Sequence, residues 1–507
     1  MKTFKYYVLA AGLAFLGCSD LEEEPIGRLS PNGFYSTPKD VQTTVNGAYG
    51  LMAEEAFWGR KLSLPLMVRG DLARIGINTA QRRLDHDEFT VSDDNGMITE
   101  YWPRAYQIIA TCNQAIAGAE SVSAEADVLN AITAQAYFVR AYVYYHLVRL
   151  HGDIPYLDEP VSNLEEASSI SKTPAAEVYQ NIITDLQYAE QWLPDTQSTR
   201  ALPSKASAMA YLASVYLTLG EYPMAASKAQ EVINNEGRFD LALEDDFADL
   251  WDFSKQQASR EPLFAFDFNG FRDGNFGQDY MPPLTGIRDN ITPVGEGWSV
   301  IMSNEEFYNA WPSDDYRRDI SFVTESTFSV NGTPTMLPYQ NWSQADSRNL
   351  PEPFIAKYNR NLGNTSNGNG RGSELNYAQM RYAEVLLIAA EALNEAGPSP
   401  VAEGYLNRVR ARARNAGGVI RTAPLDITGL SQDDFRDAVL TERTYELAFE
   451  FKRWYDIKRR QLGPEVFSGP DAYEQRPNFD PNRDYLLPIP GDEIARNPNL
   501  GPNNPGY

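Results

Sequence analysis

A mainly α-helical protein is predicted: a scaffold of tetratricopeptide-like helical pairs that carries one long irregular insert of loops and short strands. Three observations carry this reading. Apolar residues recur at helical spacing through most of 34–237 and again after residue 376. Two helical pairs repeat one pattern: aligning Gly220 with Gly397 also aligns Ala213 with Ala390, Ala225 with Ala402 and Val232 with Val409. Between them, residues 238–376 turn rich in Gly, Pro, Asn, Ser and aromatics and lose long helical patterns. The body therefore divides into an N-terminal helical part (34–237), a variable insert (238–376) and a C-terminal helical part (377–507).

The first residues read as an address. Lys2 and Lys5 precede an apolar run over 7–16, the length of a signal-peptide core and too short to span a membrane. The run ends Phe15-Leu16-Gly17-Cys18, which resembles a bacterial lipobox. That resemblance implies a signal peptide over 1–17, cleavage before Cys18 and lipidation of Cys18. Residues 18–33, opening with Asp20, Glu22, Glu23 and Glu24, read as an acidic, solvated tether, so the protein is expected to be anchored to a membrane and not to span it.

In the body, 34–51 is a first helix entered through Thr37-Pro38-Lys39-Asp40. The stretch 57–78 alternates only partly and reads as irregular or short extended structure. Helices follow over 100–119, 124–150 and 173–192, the last opened by Thr173-Pro174 and stopped by Pro194. The two repeated pairs cover 202–220 with 222–235, and 382–397 with 400–414. In the insert, 263–268 alternates like a strand, 307–319 reads as a short helix broken at Trp311-Pro312, and 358–373 reads as a flexible loop. Residues 440–460 form one helix, entered through Ser431 and Asp434 and stopped at Gly463-Pro464. It is apolar on more than one side yet dense in mixed charge, so it is expected to be buried and to tie its neighbours together by ion pairs.

Composition limits function. The chain has 507 residues and a net charge of −25, which argues against nucleic acid and anionic lipid surfaces and favours a neutral or cationic ligand, or solubility alone. Besides Cys18 there is only Cys112, in an apolar helical stretch, so no disulfide is expected. His146 and His151 lie five apart, the wrong spacing for one helix face, and no metal site is expected. No G-x-S-x-G, P-loop, H-E-x-x-H or dinucleotide fingerprint occurs, so neither enzyme nor cofactor is expected; a structural calcium in the insert is left open. A carboxylate pair of the glycosidase kind is defined by separation in space and is not legible here.

What remains is binding. The chain holds 29 Tyr, 23 Phe and 8 Trp, more than a core needs. A flat aromatic face stacks on the C–H face of a pyranose while polar groups bond its hydroxyls. Trp102, Trp192, Trp251 and Trp454 sit in helical or apolar patterns and belong to the core. Trp298, after Gly295-Glu296-Gly297, and Trp342, after Tyr339-Gln340-Asn341, sit in loops and are the foremost platform candidates, with Tyr339 beside them. Trp311, near Asp315-Tyr316-Arg317, is structural.

Several motifs together resemble the SusD/RagB family of Bacteroidetes surface lipoproteins. They are Glu442-Arg443…Glu446-Leu447-Ala448-Phe449-Glu450…Arg453-Trp454-Tyr455-Asp456, Ala136-Tyr137…Arg140-Ala141…Tyr144 followed by Gly152-Asp153-Ile154-Pro155, Arg381-Tyr382-Ala383-Glu384, and the terminal Tyr485-Leu486-Leu487-Pro488-Ile489-Pro490 with Asn504-Pro505-Gly506-Tyr507. The resemblance covers nearly the whole mature chain; the insert does not match clearly. It implies a SusD-like helical scaffold on the outer membrane, lipid-anchored at the cell surface. It also implies capture of an oligo- or polysaccharide and delivery to a SusC-like TonB-dependent transporter, without catalysis. Family members place ligand-contacting loops near 57–78, which makes Trp58, Arg74 and Asn78 candidates. A peptide or another nutrient as cargo is the alternative, and a helical glycoside hydrolase a more distant one.

Overall fold

The computed structural model describes residues 34–77, 79–268, 270, 279–291, 297–363 and 372–507. Its frame is a series of helices in which each packs on the next. Helix α1 (Pro38–Met52) lies against α2 (Ile98–Ala119) and α3 (Ala126–His151). The series continues through α4 (Ala175–Trp192), α5 (Lys205–Leu219), α6 (Tyr222–Asn234), α7 (Tyr382–Asn394) and α8 (Pro400–Ala413).

Local chemistry starts these helices. Thr37 and Asp40 close a reciprocal capping box on α1, with Pro38 in the first turn. Ser204 and Ser207 do the same for α5, and Ser399 caps α8 ahead of Pro400. Helix α3 is buried on all sides over its second half, from Phe138 to His151, so it is the centre of the N-terminal part and not an amphipathic surface helix. The repeat read from sequence is a packing repeat. Ala213, Ala390, Ala225, Ala402, Val232 and Val409 are all fully buried, and the alanines let α5, α6, α7 and α8 approach closely.

Two expectations are corrected. The stretch read as irregular or short extended over 57–78 opens instead with helical turns, a π-helical one over Glu55–Gly59 and a short helix over Ser63–Val68, before the short extended strand β1 (Ala73–Ile75). Residues 440–460 are not one helix. Helix α9 (Gln432–Glu446) ends, the chain turns with Phe449 and Phe451 at φ of 64° and 65°, and α10 (Arg453–Arg459) starts afresh. Left-handed backbone costs a non-glycine residue roughly 1–2 kcal/mol, and here long-range partners hold it. Tyr358 Oη donates to the carbonyl of Phe449 at 2.7 Å, and Lys452 Nζ donates to that of Gln379 at 2.5 Å. The expected ion pairs to neighbouring elements are present: Glu446 and Glu450 pair with Arg381, and Arg453 pairs with Asp71.

The insert is joined to the frame by short antiparallel pairs. Strand β2 (Pro262–Phe266) pairs with β8 (Tyr377–Arg381), and β1 pairs with β3 (Ile301–Ser303). Between them lie β4 (Phe322–Val323) with β7 (Phe354–Ile355), and the hairpin of β5 (Glu325–Val330) and β6 (Thr333–Pro338). Asn331 and Gly332 make the hairpin's two-residue loop, both with positive φ (49° and 80°), the handedness that matches strand twist. A small separate core of Ile287, Met302, Phe328, Leu337, Trp342 and Phe354 sits beneath it. The short helix expected over 307–319 is two, Glu305–Ala310 and Tyr316–Ser321, divided at the expected Trp311-Pro312 break.

Candidate functional site

The half-buried indole of Trp298 is held from its backbone. Trp298 N–H donates to Pro283 O (2.7 Å), Ser299 N–H to Gly286 O (2.9 Å) and Val300 N–H to Leu284 O (3.1 Å), so 298–300 is stitched along 283–286. Gly297 permits this approach: a Cβ there would lie 2.2 Å from the carbonyl oxygen of Ile287. Beyond Val300 the chain enters β3. Its partner β1 continues past Ile75, with Gly76 N–H donating to Val300 O at 2.9 Å. The ladder therefore brings the 76–77 segment alongside Trp298, although more than 200 residues separate them.

Tyr280 completes the aromatic pair. It meets Trp298 edge-to-face, with centroids 5.9 Å apart and an interplanar angle of 62°. The Arg60 guanidinium lies over the Tyr280 ring, 4.6 Å from its centroid. Tyr280 Oη donates to Glu55 Oε2 at 2.6 Å, and Glu55 also pairs with Arg60. The π-helical turn at 55–59 thus fixes the ring that supports the indole. Lys61, next to Arg60 in the chain, pairs with Glu100 at 2.7 Å, and Arg82 reaches the same carboxylate at 3.4 Å, with Arg83 beside it in sequence. Burial pulls Arg60 down to about 10 and Lys61 down to about 8.

The other sequence candidates fare differently. Arg74 lies on β1 opposite Met302 and pairs with Glu352 at 3.0 Å; burial outweighs that pairing and pushes the Glu352 carboxyl up to about 7. Asn78 and Cys18 lie outside the described residues, as do 1–33 altogether and half of the loop read over 358–373. Trp58 is not a surface residue: it is 2 % exposed and packs on Phe266 and Phe451. Trp342 is fully buried in the small core against Phe328 and Phe354, with Nε1 donating to Leu337 O at 2.8 Å. Tyr339 is buried beside it and donates to Glu305 at 2.9 Å. These three have no face to offer a ligand; of the tryptophans nominated as platforms or ligand contacts, Trp298 alone is partly exposed. Trp102, Trp251, Trp311 and Trp454 are in the core as expected, whereas Trp192 is half-buried.

Sequence reading missed Tyr280, Arg60 and the adjacent Arg82-Arg83. The dibasic pair was the available signal, conspicuous in so acidic a chain; the contacts with Tyr280 are long-range. Chemically the arrangement offers stacking, hydrogen bonding and cationic groups. His146 and His151 serve structure, bonding Tyr455 Oη (2.7 Å) and Pro488 O (3.0 Å). Cys112 is buried in α2 and pushed up to about 12. Among the described residues no group of three or more His, Cys, Asp or Glu is placed to hold a metal ion, and no helix is long and apolar enough to cross a membrane.

Two family models match the chain: one described as the SusD family over residues 301–507, and one described as starch-binding, associating with outer membrane, over 21–217. SusD-like protein P2 of Formosa agariphila is 54% identical over the whole of both chains. SusD-like protein P25 of the same organism is 26% identical, covering 95% of this chain and 94% of its own. A SusD homolog from Bacteroides thetaiotaomicron has the same fold, with a TM-score of 0.81 at 22% identity over 95% of this chain and 99% of its own. A laminarin binding SusD-like protein superposes with a TM-score of 0.76 at 23% identity over 93% of this chain and 100% of its own. Surface glycan-binding protein A from Bacteroides fluxus gives 0.76 at 21% identity over the same shares.

Proposed function

Since this chain belongs to the SusD family, we propose that it is a non-catalytic, lipid-anchored lipoprotein of the outer-membrane surface. It captures an oligo- or polysaccharide and hands it to a SusC-like TonB-dependent transporter. The observation that carries the reading is the half-buried Trp298, braced by Tyr280 and Arg60 on a backbone stitched to the frame. A partly exposed aromatic on a fixed backbone suits a pyranose face, which needs stacking area and few committed hydrogen bonds. Laminarin and surface-glycan binding by structural neighbours, and the starch-binding description of a matching family model, support a glycan over a peptide. The outer-membrane association in that description agrees with the Cys18 lipobox and acidic tether.

The test is an affinity-gel and glycan-array screen of the purified chain with a peptide mixture alongside, repeated for Trp298→Ala. Retention by one polysaccharide class, lost roughly tenfold or more in the variant, is expected. Capture of peptides with silence on every glycan would replace this reading. Co-purification with a TonB-dependent transporter from outer membranes tests the partner.

A further inference from the structure

Whole-chain charge favours a neutral or cationic ligand, yet the surroundings of Trp298 have the opposite sign. Arg60 lies over Tyr280, Arg83 interacts with it electrostatically, and Lys61 and Arg82 share Glu100 close by; among the described residues this cluster of four faces only Glu55 and Glu100 as pairing carboxylates. Arg83 makes no ion pair among the described residues; its Nη1 donates to Thr79 Oγ1 at 2.9 Å. The Nε–H groups of Arg60, Arg82 and Arg83 are buried without an acceptor. Leaving a buried charged donor unsatisfied is costly, and four cations against two carboxylates repel one another. The depressed affinity of Arg60, Lys61 and Arg83 for their protons reflects both burial and this crowding. An oxyanion supplies what the cluster lacks: acceptors for several N–H groups and negative charge. Arg82 and Arg83 are half-exposed and reachable from solvent.

We propose that this cluster is an anion subsite, and that the glycan stacked on Trp298 carries a sulfate ester or a carboxylate that seats on Arg82 and Arg83. This rests on the glycan-capture reading above and narrows its substrate class. The overall charge of −25 does not oppose it at short range, because charges farther away than the screening length of about 8 Å are damped at physiological salt.

The purified chain is tested on an array of sulfated, uronate-bearing and neutral polysaccharides. Each anionic polysaccharide that binds is then compared with its desulfated or carboxyl-reduced form. Expected are a bound anionic glycan, at least about tenfold weaker binding of its neutral form, and weakening as NaCl rises from about 50 to about 500 mM. The doubly substituted Arg82→Gln/Arg83→Gln chain should bind the anionic form no better than the neutral one, with its unfolding midpoint retained. Binding only the sulfated or only the uronate glycan names the oxyanion. Equal affinity for charged and neutral forms, or an unaltered preference in the double variant, overturns the subsite. A neutral glycan held through Trp298 overturns it too but leaves glycan capture standing; no binding to any glycan overturns both.

Discussion

The guanidinium of Arg381 binds Glu446 twice: Nη1 donates to the Glu446 carboxylate at 2.7 Å, and Nη2 donates to the Glu446 backbone carbonyl at 2.7 Å. One side chain thereby neutralises the last residue of α9 and caps an orphan carbonyl at its end. The same guanidinium reaches Glu261 at 2.6 Å and Glu450 at 2.6 Å, and Arg317 and Arg412 reach Glu446 from the insert and from α8. These arginines hold the Glu446 carboxyl far below the usual carboxylate range despite its burial.

Arg381→Met should therefore leave three buried carboxylates short of a partner and free the turn at Phe449 and Phe451. A loss of about 3–5 kcal/mol is expected, the range for breaking a buried ion pair from one side. Arg381→Lys should recover little, because one ammonium cannot reproduce the fork that spans side chain and backbone. Denaturant midpoints of the three chains measure this; an unchanged midpoint for Arg381→Met would contradict the assigned role.

Asp279 gives stability a pH dependence of known sign. It is fully buried, accepts from Ser373 Oγ at 2.6 Å, from Tyr377 Oη and from Met281 N–H at 3.1 Å, and burial pushes it up to about 6. A carboxyl raised in the folded state binds its proton more tightly there than when unfolded. Its stabilising contribution is complete below about pH 4 and is lost as pH rises through about 6. The loss is about 3 kcal/mol, at roughly 1.4 kcal/mol for each tenfold difference in proton affinity between the folded and unfolded chain. The stability difference between wild type and Asp279→Asn should drift by that order between pH 4 and pH 7 in urea titrations, in favour of the variant at the higher pH. A difference independent of pH would remove Asp279 as the titrating group.

The two loop tryptophans should respond in opposite ways. Trp342→Ala empties the small core beneath the hairpin and should cost about 3–5 kcal/mol, seen as early loss of protection of 322–355 in hydrogen exchange. Trp298→Ala should keep the wild-type unfolding midpoint within about 1 kcal/mol and lose ligand. The converse pattern would return the platform to Trp342.

Cys18→Ala should move the protein from the membrane pellet to the soluble fraction. The lipid proposed on Cys18 is the attachment this variant removes. Full retention in the pellet would contradict the anchor.

The frame is largely legible in the sequence because its signals are local. Thr37-Pro38-Lys39-Asp40, Ser204, Ser399 and Gly220 mark helix ends within four residues, and the Ala213/Ala390 alignment reports close packing directly. The break between α9 and α10 is not legible, since no Gly or Pro announces it; Tyr358, Gln379 and Arg381, distant in sequence, impose it. Asn331-Gly332 is a readable hairpin turn hidden in a stretch of irregular composition. Trp342 has the polar neighbours of an exposed residue, but its burial is decided by Phe328 and Phe354 across two sheets. The Trp298–Tyr280–Arg60 contact joins three regions of the chain and has no local signature, so sequence could nominate the indole and not its supports.

Strands β2 and β8 carry a consequence for how such proteins diversify. The segment 267–376 leaves the frame from one strand and returns on its hydrogen-bonded neighbour, about 5 Å away. What lies between those two strands can lengthen, shorten or be exchanged wherever it carries no contact to the frame; β3, Arg317, Lys357 and Tyr358, which meet β1, Glu446, Glu450 and the Phe449 carbonyl, have to stay. A lineage built on this plan can retune its appetite by trading a cassette, with the arginine-clamped chassis inherited intact.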